Sequence, residues 1–193
     1  MKRILLSLAF LLLPFGATHA QMLALNVEAP PGITVTVLSD GILDFGTLLQ
    51  NQGQVSINLM DPGTEVISIE ADKNRDLSVT LTPPPSLQLD ANNTLPFTLG
   101  ASYNNTGDND KSQAVEFPDS YQKVFPSYDD QNASGPPPWA CNDKKNNPNN
   151  NCDDTNNKNT VLSYIYVYGD ITVGNARAGT YTGMINLNVN YAN

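Results

Sequence analysis

The chain has 193 residues, a formal net charge of −9, one His and two Cys. Ten Lys and Arg against nineteen Asp and Glu speak against nucleic acid or an anionic membrane surface as a partner. The length suits one domain with a substantial core.

Residues 1–20 read as a signal peptide. Lys2 and Arg3 form a positive start, and an apolar run from Ile4 to Phe15 follows, broken by Ser7 and Pro14. Thr18-His19-Ala20 is a small-residue cleavage site. The run falls short of the ~20 apolar residues of a membrane span. Cleavage after Ala20 takes 20 residues from 193 and leaves 173, beginning at Gln21; losing Lys2 and Arg3 moves the formal charge from −9 to −11. The only His goes with it. With no second long apolar run, the mature protein is expected to be soluble and exported, without a membrane span after cleavage.

The mature chain alternates apolar and polar residues in short runs, the signature of half-buried strands. Leu23, Leu25 and Val27 alternate before a break at Pro30-Pro31-Gly32, so residues 21–32 read as an N-terminal strand or extension. Ile33 to Val37 alternates again and stops at an Asp40-Gly41 turn signal. Further strands are expected at Asp44–Leu48, Gln54–Met60, Glu65–Ala71 and Leu77–Thr82, the last stopped by Pro83-Pro84-Pro85. Leu87–Leu89 and Leu95–Tyr103 follow. No stretch holds an apolar period of 3.6, so helix is not expected.

The region of about 104–160 changes character and reads as an insertion in a domain of residues 33–193. Ala114 to Phe125 keeps some β-like character through Phe117, Tyr121, Val124 and Phe125. Residues 127–160 are rich in Asn, Asp, Pro and Gly, a composition too polar to fold alone, and read as a long surface loop leaning towards disorder. Cys141 and Cys152, eleven positions apart, are expected to form a disulfide in an exported protein, contributing roughly 3 kcal/mol by closing a short loop. Trp139 is either a local anchor or a contact residue. Val161–Val173 carries apolar residues on both faces and reads as a central strand. The closing run is the most regular: Ile185, Leu187, Val189 and Tyr191 on one face, Asn186, Asn188 and Asn190 on the other.

The sequence offers little chemistry. Without a His in the mature chain no Ser–His or Cys–His pair can be built. Asp129-Asp130 and Asp153-Asp154 are sequence neighbours on an acidic loop and read as solvated charge rather than as a glycosidase pair. Gly107 to Asp110 and Asn151 to Asn159 offer oxygen ligands for calcium, but neither follows the spacing of an EF-hand loop. No enzyme activity, cofactor or metal is expected. About ten short strands with Gly and Pro punctuation read as an all-β antiparallel sandwich.

Leu43-Asp44-Phe45-Gly46-Thr47-Leu48, Tyr164-Ile165-Tyr166-Val167-Tyr168-Gly169, and Gly179 to Gly183 entering a terminal strand that ends in Tyr191 form an ordered set. In that order, over residues 33 to 191, the chain resembles the bacterial exported family called domain of unknown function 4402. It is also similar to spore coat protein U and to chaperone–usher pilin-like domains. The resemblance implies an immunoglobulin-like, pilin-like β-sandwich in a secreted or surface-associated structural protein, plausibly a fimbrial subunit. It implies self-assembly or assembly with other pilus subunits, served by a periplasmic chaperone. Polymerising pilins carry an N-terminal extension that completes a neighbour's sandwich. Leu23, Leu25 and Val27 are either such a donor strand or this domain's own first strand, and self-completion is the expectation. The other functional expectation is a monomeric binding module that recognises carbohydrate or protein through the 127–160 loop.

Overall fold

The computed structural model describes residues 20–73, 75–127 and 160–192. Trp139, Cys141 and Cys152, and with them the expected disulfide and the 151–159 acidic tract, lie outside the described residues, as does the signal peptide up to residue 19.

The protein is all-β. Its strands are β1 (Ala20–Glu28), β2 (Thr34–Val37), β3 (Ile42–Thr47), β4 (Gly53–Ile57), β5 (Glu65–Asp72) and β6 (Asp76–Thr82). They continue with β7 (Ser86–Asp90), β8 (Asn93–Asn104), β9 (Val115–Glu116), β10 (Gln122–Pro126), β11 (Thr160–Val173) and β12 (Thr182–Tyr191). The described residues contain no α-helix, only one 3-10 turn at Lys111–Gln113.

These strands make one curled sheet. In one half the order is β10–β6–β12–β1–β3. In the other, β2–β5–β11–β8–β9 lie side by side, with β4 following β5 along the same edge of β11. β8 joins the halves: Asn93–Pro96 pairs with β7, and Phe97–Asn104 pairs with β11. The described pairs are antiparallel except β1 with β12, which run parallel from Met22↔Thr182 to Glu28↔Asn188.

The core lies between the halves. Leu23, Leu43, Leu77, Val79, Ile185, Leu187 and Val189 enter it from the first half. Ile67, Ile69, Ile165, Val167 and Ile171 enter from the second. Phe45 of β3 meets Phe97 of β8 edge-on at 6.3 Å, so rings from both halves touch. β11 is paired along both edges, and side chains on both of its faces are buried, Tyr166 as fully as Ile165 and Val167, so its sequence lacks a polar face.

One glycine makes a local demand that β11 needs. At Gly169 β11 exchanges its partner β5 for β4, and a Cβ there would lie 2.4 Å from the Thr98 carbonyl oxygen. Only a residue without a side chain lets the strands approach this closely.

Two stretches differ from the expected outline. The strand expected over Gln54–Met60 ends at Ile57, because the Asp61 carboxylate accepts from the Asn58 backbone N–H (2.7 Å) and side-chain amide (3.1 Å). That side-chain hydrogen bond offers the backbone a turn in place of the ladder. The start of the 104–160 region is also part of the fold proper. β10 pairs with β6, Phe117 and Phe125 are buried, and Phe125 stacks on Tyr103 at 4.5 Å.

Candidate functional site

The first candidate is the seam where the two ends of the chain meet. β1 lies along β12 with Leu25 beside Ile185 and Val27 beside Leu187. Leu23 is fully buried, opposite Leu43 of β3, while Leu25 and Val27 are partly buried against the core. Ile185, Leu187 and Val189 are buried on the inward face of β12. Gly183 permits the approach at the head of this seam, since a Cβ would lie 2.9 Å from Leu87 and 3.4 Å from Leu23.

Tyr191 closes the seam at its far end. Its hydroxyl donates to the Gly32 carbonyl (3.0 Å) and accepts from the Asp72 backbone N–H (3.0 Å). The Arg75 guanidinium sits over the ring at 3.5 Å, a cation–π contact, and pairs with Asp72 at 3.8 Å. One side chain therefore ties the end of β12 to the Pro30-Pro31-Gly32 break and to β5.

The outer face of this half is the second candidate. Residues opposite one another across neighbouring strands share a face, and here they form rows. Thr82, Asn186 and Asn26 make one row; Gln122, Thr80, Asn188 and Glu28 the next; Val124, Ser78 and Asn190 the third. The amides are linked to one another: Asn26 Nδ2 donates to Asn186 Oδ1 at 3.0 Å, and Asn190 Nδ2 donates to Asn188 Oδ1. Asn188 Nδ2 reaches Glu28 Oε2 at 3.5 Å. Sequence reasoning used only the apolar half of the β12 alternation; its Asn half was equally visible and marks this face.

An open pocket of about 270 Å³ at the β2–β3 turn is the third. Ser39, Asp40, Ile42, Asp44, Pro62, Gly63 and Glu65 line it. Glu65 is 3% exposed, and its Oε2 accepts from the Ser39 hydroxyl and from the Gly41 N–H at 2.9 Å. Burial, reinforced by the neighbouring Asp40 charge, raises its pKa above the ordinary 4.5, while the bonds from Ser39 and Gly41 oppose the rise. These bonds clamp the turn onto β5, and the Gly41 carbonyl in turn accepts from Leu25 N–H at 3.0 Å. The chemistry is that of a fold clamp. No periodicity signal points to Glu65, because its partners lie 24 and 26 positions away.

In the first of the two calcium-ligand stretches, Asp110 is engaged by Ser112 and Gln113. Asp110 Oδ1 accepts from the Ser112 N–H (2.9 Å) and hydroxyl (2.6 Å), and Oδ2 accepts from Gln113 (3.0 Å), capping the 3-10 turn. The Ser112 bonds hold its carboxyl below the ordinary carboxylate range. Among the described residues no group of three or more His, Cys, Asp or Glu is arranged to hold a metal, and no helix is long and apolar enough to cross a membrane.

Above this cap, Tyr166 is fully buried on the outer face of β11. Its hydroxyl donates to Asn109 Oδ1 at 3.0 Å, and its pKa is pushed up to about 12 by burial, then by Asp110 and Tyr164. Tyr166 of the Tyr-rich motif thus meets the 105–114 segment, while the Tyr168 hydroxyl is bonded to the Ser102 hydroxyl of β8 at 2.9 Å.

No protein-family model matches the chain, and no curated protein is significantly similar to it.

Proposed function

We propose that this is an exported, non-enzymatic structural protein of the bacterial surface or periplasm, an immunoglobulin-like, pilin-like β-sandwich that completes itself. The observation that carries the reading is the parallel β1–β12 seam, in which the chain's own N-terminal strand covers the edge of its C-terminal strand. A polymerising pilin leaves that edge for a neighbour's extension; here Leu23 fills it from within. The edge of β3 away from β1, unpaired among the described residues, adds support. Ile42 N–H is capped by Asp40 (3.0 Å) and Gly46 N–H by Asp44 (2.7 Å), so two donors of an edge strand are spent locally. Capped, acidic edges discourage pairing with another chain. On this reading any assembly with other subunits or a chaperone proceeds by contacts other than strand donation.

The test is expression of the full precursor, beside a form that lacks residues 21–30, in a bacterial host. The precursor should yield a periplasmic or secreted monomer whose N-terminus is Gln21. The truncated form should fail to accumulate unless a peptide of residues 21–32 is supplied with it. SDS-resistant ladders from the full chain would replace self-completion by strand exchange. A stable truncated monomer would remove the seam as the basis of the fold.

A further inference from the structure

We propose that the outer face of β6, β12 and β1 is a docking surface for a neutral polysaccharide. This does not depend on the exported-subunit reading, because it rests on the face alone.

Strands lie about 4.8 Å apart and alternate residues about 6.8 Å apart, so four strands and three rows span roughly 14 Å by 14 Å. Within that grid the central groups are the hydroxyls of Ser78, Thr80 and Thr82 and the amides of Asn186, Asn188 and Asn190. The chain carries nineteen acidic and ten basic residues, yet in these three rows the single charged side chain is Glu28, at the β1 end of the middle row beside Asn188. A solvated sheet face ordinarily uses Lys and Glu for solubility. A face with a single carboxylate among its hydroxyls and amides offers an anionic or cationic partner little charge complementarity.

What it offers is reciprocal hydrogen bonding. A hydroxyl donates and accepts, and so does an amide, which is the capacity a sugar hydroxyl matches in either direction. The Asn26–Asn186 and Asn190–Asn188 bonds hold the amides in fixed orientations before any ligand arrives, which lowers the ordering cost of binding. Apolar contact for the C–H faces of sugar rings comes from Val124 in the third row, 50% exposed, and from Met184, 53% exposed, opposite Ala24 one row beyond the first.

The test is co-sedimentation of the purified mature chain with insoluble cellulose, chitin and curdlan, together with retardation in native gels cast with dextran or galactomannan. The expected result is binding to at least one of these five. That binding should survive about 1 M NaCl, where charge attraction is screened beyond about 3 Å. Thr80→Lys and Asn188→Lys should each weaken it by about tenfold or more, because the long lysine side chain replaces the hydroxyl or amide that would hydrogen-bond the sugar and obstructs the grid. Asn188→Ala should weaken it without adding charge, and Thr34→Lys on β2 should leave it unchanged. Urea midpoints must match those of the unaltered chain, and the alanine variant serves if a lysine variant unfolds. Binding to none of the five polysaccharides, binding that persists in all three grid variants, or binding abolished by salt would each overturn the proposal. So would concentration-dependent dimerisation lost in Asn188→Lys, which would assign the face to a second copy of the chain.

Discussion

Leu23→Ala is the sharpest probe of the seam. Leu23 has no exposed surface, faces Leu43 across the β1–β3 pair, and packs near Gly183 where β12 begins. Truncation removes the equivalent of about three methylenes, worth about 2.4 kcal/mol at about 0.8 kcal/mol each. The residual cavity adds to this, since β1 is paired along both edges and its backbone relaxes little, which places the total at about 3–4 kcal/mol. For a chain of this size that corresponds to a fall in Tm of roughly 6–16 °C. The assay is urea unfolding followed by far-UV circular dichroism, with the slope m unchanged if the transition stays two-state. Asn26→Ala, on the exposed face of the same strand, should change stability by less than about 0.5 kcal/mol. Because β1 belongs to the same chain as β12, both midpoints should be independent of protein concentration. A loss under about 1 kcal/mol for Leu23→Ala, or a midpoint that rises with concentration, would refute an intramolecular, packed β1.

Tyr191→Phe removes the hydroxyl shared by the Gly32 carbonyl and the Asp72 N–H while leaving the ring under Arg75, and should cost about 1–3 kcal/mol by the same assay. Gly169→Ala drives a Cβ against the Thr98 carbonyl and should cost about 2 kcal/mol or more, with soluble yield falling in parallel. Glu65 has a raised folded-state pKa, so its contribution to stability is full below the ordinary 4.5 and is lost as pH rises through the raised value. Glu65→Gln keeps an oxygen acceptor for Ser39 and Gly41. Urea midpoints taken from pH 4 to pH 8 should therefore fall less steeply just above 4.5 than in the unaltered chain; equal slopes would place the titration elsewhere. The Tyr166 hydroxyl should stay protonated until pH approaches about 12, which ultraviolet titration of the phenol band reads as a late step.

Much of the strand pattern was visible in the chain because alternation is a local property. Leu77, Val79 and Leu81 point inward and Ser78, Thr80 and Thr82 outward for the same reason that any half-buried strand alternates. β11 announced itself as central because both its faces are apolar. β10 was harder to read. Phe117, Tyr121 and Phe125 stand four apart, a spacing that one face of a strand and one face of a helix both allow. Only the pairing with β6 and the stack of Phe125 on Tyr103 make them core.

The seam divides the two kinds of information most clearly. Period two alone made Leu23, Leu25 and Val27 one strand and Ile185, Leu187 and Val189 another, because each alternation needs only its immediate neighbours. That the two strands run parallel, 160 residues apart, with Leu25 beside Ile185 was decided by the tertiary structure. Register is a choice among sliding alternatives of equal local propensity, and packing across the core selects one. The same holds for Glu65 and Tyr191, whose partners are distant in sequence and whose roles exist only once the turn at Asp40-Gly41 and the break at Gly32 have been brought against them. Local chemistry made the strands, and the burial of one shared core arranged them.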